Sequence, residues 1–300
     1  MKTMKHLFTV LFLITFCGIT AQTKTTYTYS IKGKDTLKLD VYTPESIETS
    51  EQLPTLLWMH GGGFSGGSRD YKDDAELCQY AAQHGYIGIS ISYRLLRKDT
   101  KEGFGCDCPK DEKLNVFKQA AIDYLDAAAY VVTNANVLHV DTNYIIAGGS
   151  SAGAEGTLNA VFMREHFADD LDKYRDVKFA GMFSCAGAMV NAEYITKENA
   201  IPTVLYHGTK DQLVPFGSAP HHYCDKNKPG YLILDGAEVI TSKLDEFETP
   251  YYFNIVKGGM HEISAIPFAD LDTIFDFFRK TVLDNQVIQT KIIKTKTKTE

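Results

Sequence analysis

From residue 26 onward, short runs that are apolar on both sides of the backbone alternate with stretches whose apolar positions recur every three or four residues. The runs 26–32 and 37–43, the second closed by Pro44, predict an antiparallel hairpin. Further strand-like runs fall at 55–59, 87–93, 144–147, 179–184, 203–206 and 251–256. Helical patterning falls between or after them, over 71–84, 114–133, 152–164, within 240–247, and over 268–283. Strands without a polar face, separated by helix-length segments, predict an α/β domain: a mostly parallel central sheet with an antiparallel amino-terminal hairpin and helices on both faces.

Two long irregular segments break this rhythm, 97–113 and 216–249, and loops of that length in a compact domain commonly line a binding site. The connection after 184 is short, which leaves little room for a lid there. Residues 286–300 repeat Lys and Thr without a packing pattern and read as a flexible, solvated tail.

Residues 1–6 are basic, 7–16 form a ten-residue apolar run, and 17–21 are smaller, ending in Ala21. This order predicts a signal peptide, cleaved after Ala21; ten residues are too few for a membrane span, which needs about 20. Lipid anchoring at Cys17 is the rival expectation, disfavoured by the bulky Phe16 before it. The expected organisation is therefore a signal peptide at 1–21, one domain at 22–285 and a tail at 286–300, with the mature chain secreted or periplasmic.

Export changes how the cysteines are read. Of the five left after cleavage, Cys78 lies in a helical pattern and Cys185 in an apolar run, so both are expected to be buried small hydrophobes. Cys106, Cys108 and Cys224 lie in polar loops, and Cys224 is expected to bridge to either Cys106 or Cys108.

Composition adds exclusions. A chain of 300 residues with 44% apolar and 23% charged side chains is neither a disulfide mini-protein nor a disordered tail. The net charge is −7, but the ends are basic, and residues 22–285 carry 25 basic against 37 acidic residues, a balance of −12. No nucleic-acid partner and no stable membrane insertion are expected, and strongly anionic substrates are disfavoured.

The candidate chemistry begins at Gly149-Ser150-Ser151-Ala152-Gly153, which fits Gly-x-Ser-x-Gly with Ser151 central and lies between a strand-like run and a helical stretch. A sharp strand-to-helix turn there exposes the central hydroxyl and requires small residues two before and two after it. His60-Gly61-Gly62-Gly63-Phe64 follows another strand-like run, and its glycines leave backbone N–H groups free to face a substrate oxygen. A serine hydroxyl needs a base, and the base needs orienting. Asp211 and His261 each stand just beyond a strand-like run, where ligands bind in parallel sheets. Glu193 is the reserve for the acid. His60 is expected to brace the Gly loop and His207 to pack at a strand end. His221 and His222 face either substrate or, by preference, solvent.

Taken together, these motifs and the Gly258-Gly259-Met260-His261 turn resemble the esterase/lipase branch of the α/β-hydrolase superfamily. More narrowly they resemble compact secreted carboxylesterases related to the hormone-sensitive-lipase and hemicellulose-esterase groups. The resemblance covers about residues 25–284. It implies an α/β-hydrolase fold, Ser151 as nucleophile, His261 as general base and Asp211 as its orienting acid; in a departure from that branch's usual pattern, no large cap domain is expected. The oxyanion hole it implies uses the backbone N–H groups of Gly62, Gly63 and Ala152. No cofactor and no metal are implied. The expected activity is hydrolysis of small or polysaccharide-attached carboxylic esters, acetyl or feruloyl groups among them. A lipase or serine peptidase of the superfamily, or a non-catalytic binding protein on this fold, are the alternatives.

Overall fold

The computed structural model describes residues 23–296. The expected signal peptide and any anchor on Cys17 lie outside the described residues.

The strands are β1 (Thr23–Lys32), β2 (Asp35–Thr43), β3 (Leu53–Met59), β4 (Ile87–Ile91), β5 (Val140–Ser150), β6 (Gly181–Cys185), β7 (Ala188–Met189), β8 (Thr203–Gly208), β9 (Ser218–Pro220), β10 (Ile233–Gly236), β11 (Tyr251–Lys257) and β12 (Gln289–Thr295). The α-helices are α1 (Lys72–Gln83), α2 (Lys110–Thr133), α3 (Ala135–Leu138), α4 (Ala152–Phe162), α5 (Arg164–Phe167), α6 (Ala237–Glu246) and α7 (Leu271–Phe278).

Among the described residues, nine strands form one sheet in the order β1-β2-β4-β3-β5-β6-β8-β11-β12. The β1–β2 hairpin is antiparallel within itself and joins β4 antiparallel; every later pairing in the sheet is parallel. Successive side chains on a strand point to opposite faces, and β3 divides accordingly. Leu57 and Met59 enter the core under α2, α4 and α6, whereas Leu56 and Trp58 enter the core under α1 and α7. Because both faces are covered, β4 and β6 are buried throughout and β3 from Thr55 on, and the few polar side chains they carry are small ones, Thr55, Ser90 and Ser184, which is why they read as nearly uninterrupted apolar runs in the sequence.

Two features depart from the sequence-based expectations. The expected flexible tail is largely a strand: β12 pairs in parallel with β11 from Tyr251↔Gln289 to Lys257↔Thr295. Its β-branched residues suit an edge strand, and its lysines, which resembled a solvated tail, reach acids next to the sheet: Lys291 to Asp245 at 2.8 Å, Lys294 to Asp270 at 2.7 Å and Lys296 to Glu262 at 2.5 Å. Within the long 216–249 segment, β9 and β10 join β7 in a small antiparallel sheet. The cysteines follow expectation: of the two partners open to Cys224 it is Cys106 that is bonded to it, Cys108 is buried and free, and Cys78 and Cys185 are buried and free as well. Among the described residues no helix is long and apolar enough to cross a membrane.

Candidate active site

The carboxyl ends of β3, β5, β8 and β11 all point the same way, and each delivers one part of the site.

β5 ends at Ser150 and α4 starts at Ala152, so Ser151 alone makes the turn, with φ 51° and ψ −124°. This left-handed backbone is unfavourable for a residue with a Cβ. It is held by the Ser151 N–H, which donates to the Cys185 carbonyl at 2.8 Å. The turn is tight enough that a Cβ on Gly149 would lie 2.5 Å from the Gly153 carbonyl carbon, and one on Gly153 would lie 2.1 Å from the Met59 carbonyl oxygen. Those two collisions are the physical reason for small residues on either side of the serine.

After β8, Asp211 is buried in a turn whose N–H groups saturate one carboxylate oxygen: Leu213 and Val214 donate to Oδ1 at 2.9 and 3.1 Å. The other oxygen, Oδ2, accepts from Nδ1 of His261 at 2.8 Å. His207 sends its Nε2 to the Val214 carbonyl at 3.1 Å and comes within 3.5 Å of the same Oδ2. Burial pushes the Asp211 carboxyl upward, but the hydrogen bonds and charge of His207 and His261 outweigh it and hold the group well below the usual carboxylate range.

His261 follows β11 in a short helical turn and is partly exposed. With Nδ1 donating to Asp211, Nε2 is the basic nitrogen, and it lies 2.8 Å from Ser151 Oγ. Thus Ser151, His261 and Asp211 form one hydrogen-bonded line. Glu193 is remote from it: its carboxylate is exposed and pairs with Lys243.

After β3, the Gly loop folds back with Gly62 at φ 116°, and a Cβ there would lie 2.2 Å from the Gly66 carbonyl oxygen. Ser65 and Gly66 donate to the Gly62 carbonyl, which turns the peptide so that its N–H faces the other way. Ala152 is the first residue of α4, where an N–H has no intrahelical acceptor. Gly62, Gly63 and Ala152 line the same cavity as Ser151 and His261. His60 is buried; its Nδ1 donates to the Gly61 carbonyl at 2.7 Å, and Tyr93 donates to its own carbonyl at 3.0 Å. Burial lowers its pKa to about 4, so it braces the loop as a neutral ring.

The Gly loop and Ser151 lie within a stretch that matches the BD-FAE family model over residues 39–189, and Asp211 and His261 lie beyond it. The chain belongs to the BD-FAE family. Curated proteins similar to this BD-FAE chain include gut esterase 1 of Caenorhabditis elegans, 31% identical over 146 residues, or 48% of this chain and 24% of that protein. A secreted triacylglycerol lipase of Gibberella zeae is 25% identical over 173 residues, 56% of this chain and 27% of that protein. The chain thus spans well under a third of the length of either relative. Among solved structures, esterase 2 of Thermogutta terrifontis phosphorylated by paraoxon aligns over 89% of this chain and 96% of its own, with a TM-score of 0.64 at 15% identity. Its butyrate-bound form gives 0.63 at 17% identity, covering 86% and 94%. The BD-FAE chain accordingly has the α/β-hydrolase fold.

Around the triad of this BD-FAE domain, a cavity of about 370 Å³ extends past Phe104, Leu213 and Val214 to Glu155, His221 and His222. The preference for solvated histidines fails here: His221 is only 1% exposed, because the Cys106–Cys224 bond pins its segment over the cavity and Phe104 and Phe117 pack against its ring. Burial lowers His222 to about 4, helped by the charge of Lys113 and His261. Glu155, unremarked in the sequence, sits one turn after Ser151 on α4; an acid in a helix that is buried over its whole length was the available signal. A second cavity, about 360 Å³, shares Gly61, Gly62, Ser150 and Ser264 with the first and continues past Tyr71 and Asp74. A larger one, about 560 Å³, lies beside the far end of α4 and carries none of these groups.

Proposed function

We propose that this protein is a serine hydrolase of carboxylic esters that works through an acyl-enzyme. The observation that carries the reading is the unbroken line Ser151 Oγ to His261 Nε2 to Asp211 Oδ2, with both steps at 2.8 Å. As Ser151 Oγ bonds to the ester carbon, its proton passes to Nε2 and the carbonyl electron pair moves to oxygen. The N–H groups of Gly62, Gly63 and Ala152 face that developing charge; in comparable sites each such donor contributes about 2.7–4 kcal/mol. Collapse breaks the bond to the alcohol, which leaves with the Nε2 proton. Water then repeats the sequence on the acyl-enzyme, and Ser151 regains its proton. Asp211 keeps His261 in the tautomer this requires.

The esterase and lipase names of the relatives support the same class. Small or polysaccharide-attached esters, with acetyl or hydroxycinnamoyl groups, fit the resemblance to hemicellulose esterases and the absence of a strongly basic body. Export is supported by the signal-like order of residues 1–21 and by the Cys106–Cys224 bond. Replacement Ser151→Ala is expected to abolish turnover of p-nitrophenyl acetate and labelling by a fluorophosphonate; unchanged turnover would refute the assignment.

A further inference from the structure

The cavity beside Ser151 is apolar along Phe104, Leu213 and Val214 but ends on two polar side chains that are almost wholly enclosed, Glu155 at 2% and His221 at 1% exposure. Their nearest approach, Nε2 of His221 to Oε1 of Glu155, is 3.4 Å. Neither Glu155 Oε1 nor His221 Nδ1 makes a hydrogen bond among the described residues. A buried polar group left unpaired is costly, so two of them on one cavity wall call for a partner that the described residues do not supply.

The chemistry of that partner follows from the neighbours. Burial, with the Asp211 carboxylate nearby, holds the Glu155 carboxyl well above its ordinary range, against a smaller opposing pull from Lys113. Burial likewise keeps His221 neutral. Lys113 is itself engaged, donating to the Gly230 carbonyl at 2.9 Å. An uncharged carboxyl and an uncharged imidazole each offer both donor and acceptor capacity. A carboxylate on the ligand would add a second negative charge beside the buried Asp211 carboxylate, whose field already reaches Glu155. A hydroxyl, which donates and accepts, matches the hydrogen-bonding capacity of either orphan atom without bringing a charge.

We propose that Glu155 and His221 form a specificity-determining subsite that selects esters carrying a neutral hydroxyl on the arm that enters this cavity. The inference rests on the esterase reading only for the word ester; the subsite is defined by its binding chemistry.

The test therefore measures binding without turnover, by calorimetry on the full chain carrying Ser151→Ala. Ethyl 6-hydroxyhexanoate is compared with ethyl hexanoate, and 6-hydroxyhexyl acetate with hexyl acetate, so that acyl-side and alcohol-side hydroxyls are told apart. One of the two hydroxylated esters is expected to bind about tenfold more tightly than its deoxy partner, the scale of a single well-made hydrogen bond. Adding Glu155→Leu should bring that ratio close to one, and Glu155→Gln, which keeps a donor and an acceptor, should restore part of it. If Glu155→Leu does not fold, His221→Phe serves for the same comparison. A ratio near one for both pairs, or a ratio that survives Glu155→Leu or His221→Phe, overturns the subsite. Selective binding to the Ser151→Ala protein combined with no hydrolysis of any ester by wild type would instead remove the esterase reading and leave the hydroxyl site standing.

Discussion

Nε2 of His261 lies 2.8 Å from Oγ of Ser151, although 110 residues separate them in the chain. The distance is set by the sheet. β5 and β11 are held in one parallel frame by β6 and β8, so the turns at their carboxyl ends emerge side by side.

Asp211 fixes the chemistry of that contact. Replacement by Asn keeps the side-chain shape but presents an amide where Nδ1 now donates to Oδ2, favouring the imidazole tautomer whose Nε2 is protonated. A loss of about four orders of magnitude in kcat is expected with little change in KM. Steady-state kinetics on a p-nitrophenyl ester check this, and a loss under tenfold would mean that His261 is oriented by other groups.

A second carboxyl is shifted the opposite way. Trp58 donates its indole N–H to Asp74 at 2.6 Å, yet burial raises the Asp74 carboxyl from 3.8 to about 6. Between about pH 4 and pH 6 the folded state therefore holds a proton that the unfolded chain has lost, and stability falls as pH rises through that window. Asp74→Asn retains an acceptor for Trp58 and removes the titration. It should match wild type near pH 4 and exceed it above pH 6 by at most about 3 kcal/mol, as measured by thermal unfolding against pH. A difference that does not vary with pH would contradict the assignment.

The disulfide joins residues 118 apart and ties the segment carrying Phe104 to the one carrying His221 and His222. Closing so long a loop restricts the unfolded chain strongly, and loss of such a bond typically costs about 2–5 kcal/mol. The pair Cys106→Ser and Cys224→Ser should lower the unfolding midpoint accordingly. It should also raise KM for esters that fill the cavity more than for acetate, because the wall loses its clasp. Equal midpoints with and without reductant would show that the bond does not form in solution.

Removing β12 leaves β11 as a bare edge, and with it the strand that carries the turn to His261. Lys296 anchors that turn twice, through its N–H to the Lys257 carbonyl at 3.0 Å and through its ammonium to Glu262. A chain ending at Asn285 is expected to unfold at lower temperature and to self-associate through the uncovered edge, as read by size-exclusion chromatography with light scattering. Unchanged stability and a monodisperse profile would argue that the strand is dispensable.

What the sequence disclosed depended on how local each signal was. The elbow around Ser151, the Gly loop and the strands buried on both faces are written in contiguous residues, because steric crowding at Gly149 and Gly153 and two-sided burial act over a few positions. Asp211 and His261 were legible from their places beyond strand ends. The strand β12 was not, since its partner Tyr251 lies nearly forty residues earlier and its lysines pair with acids on other elements. The small sheet of β7, β9 and β10 has no sequence signature, because strands of two to four residues carry no periodicity. Glu155 has no local signature and His221 is open to either substrate or solvent on sequence, and only the fold shows that the two approach each other in a buried wall.

The backbone at Ser151 has a consequence for how this protein can change over generations. A φ of 51° suits glycine better than any residue with a side chain, so at this position the amino acid that best serves the local conformation is one that cannot react. Selection for robustness alone would drift toward Gly, and only selection for reactivity retains the hydroxyl. A relative in which the elbow survives with Gly at this position would carry the mark of a lineage that had kept the fold and abandoned the chemistry.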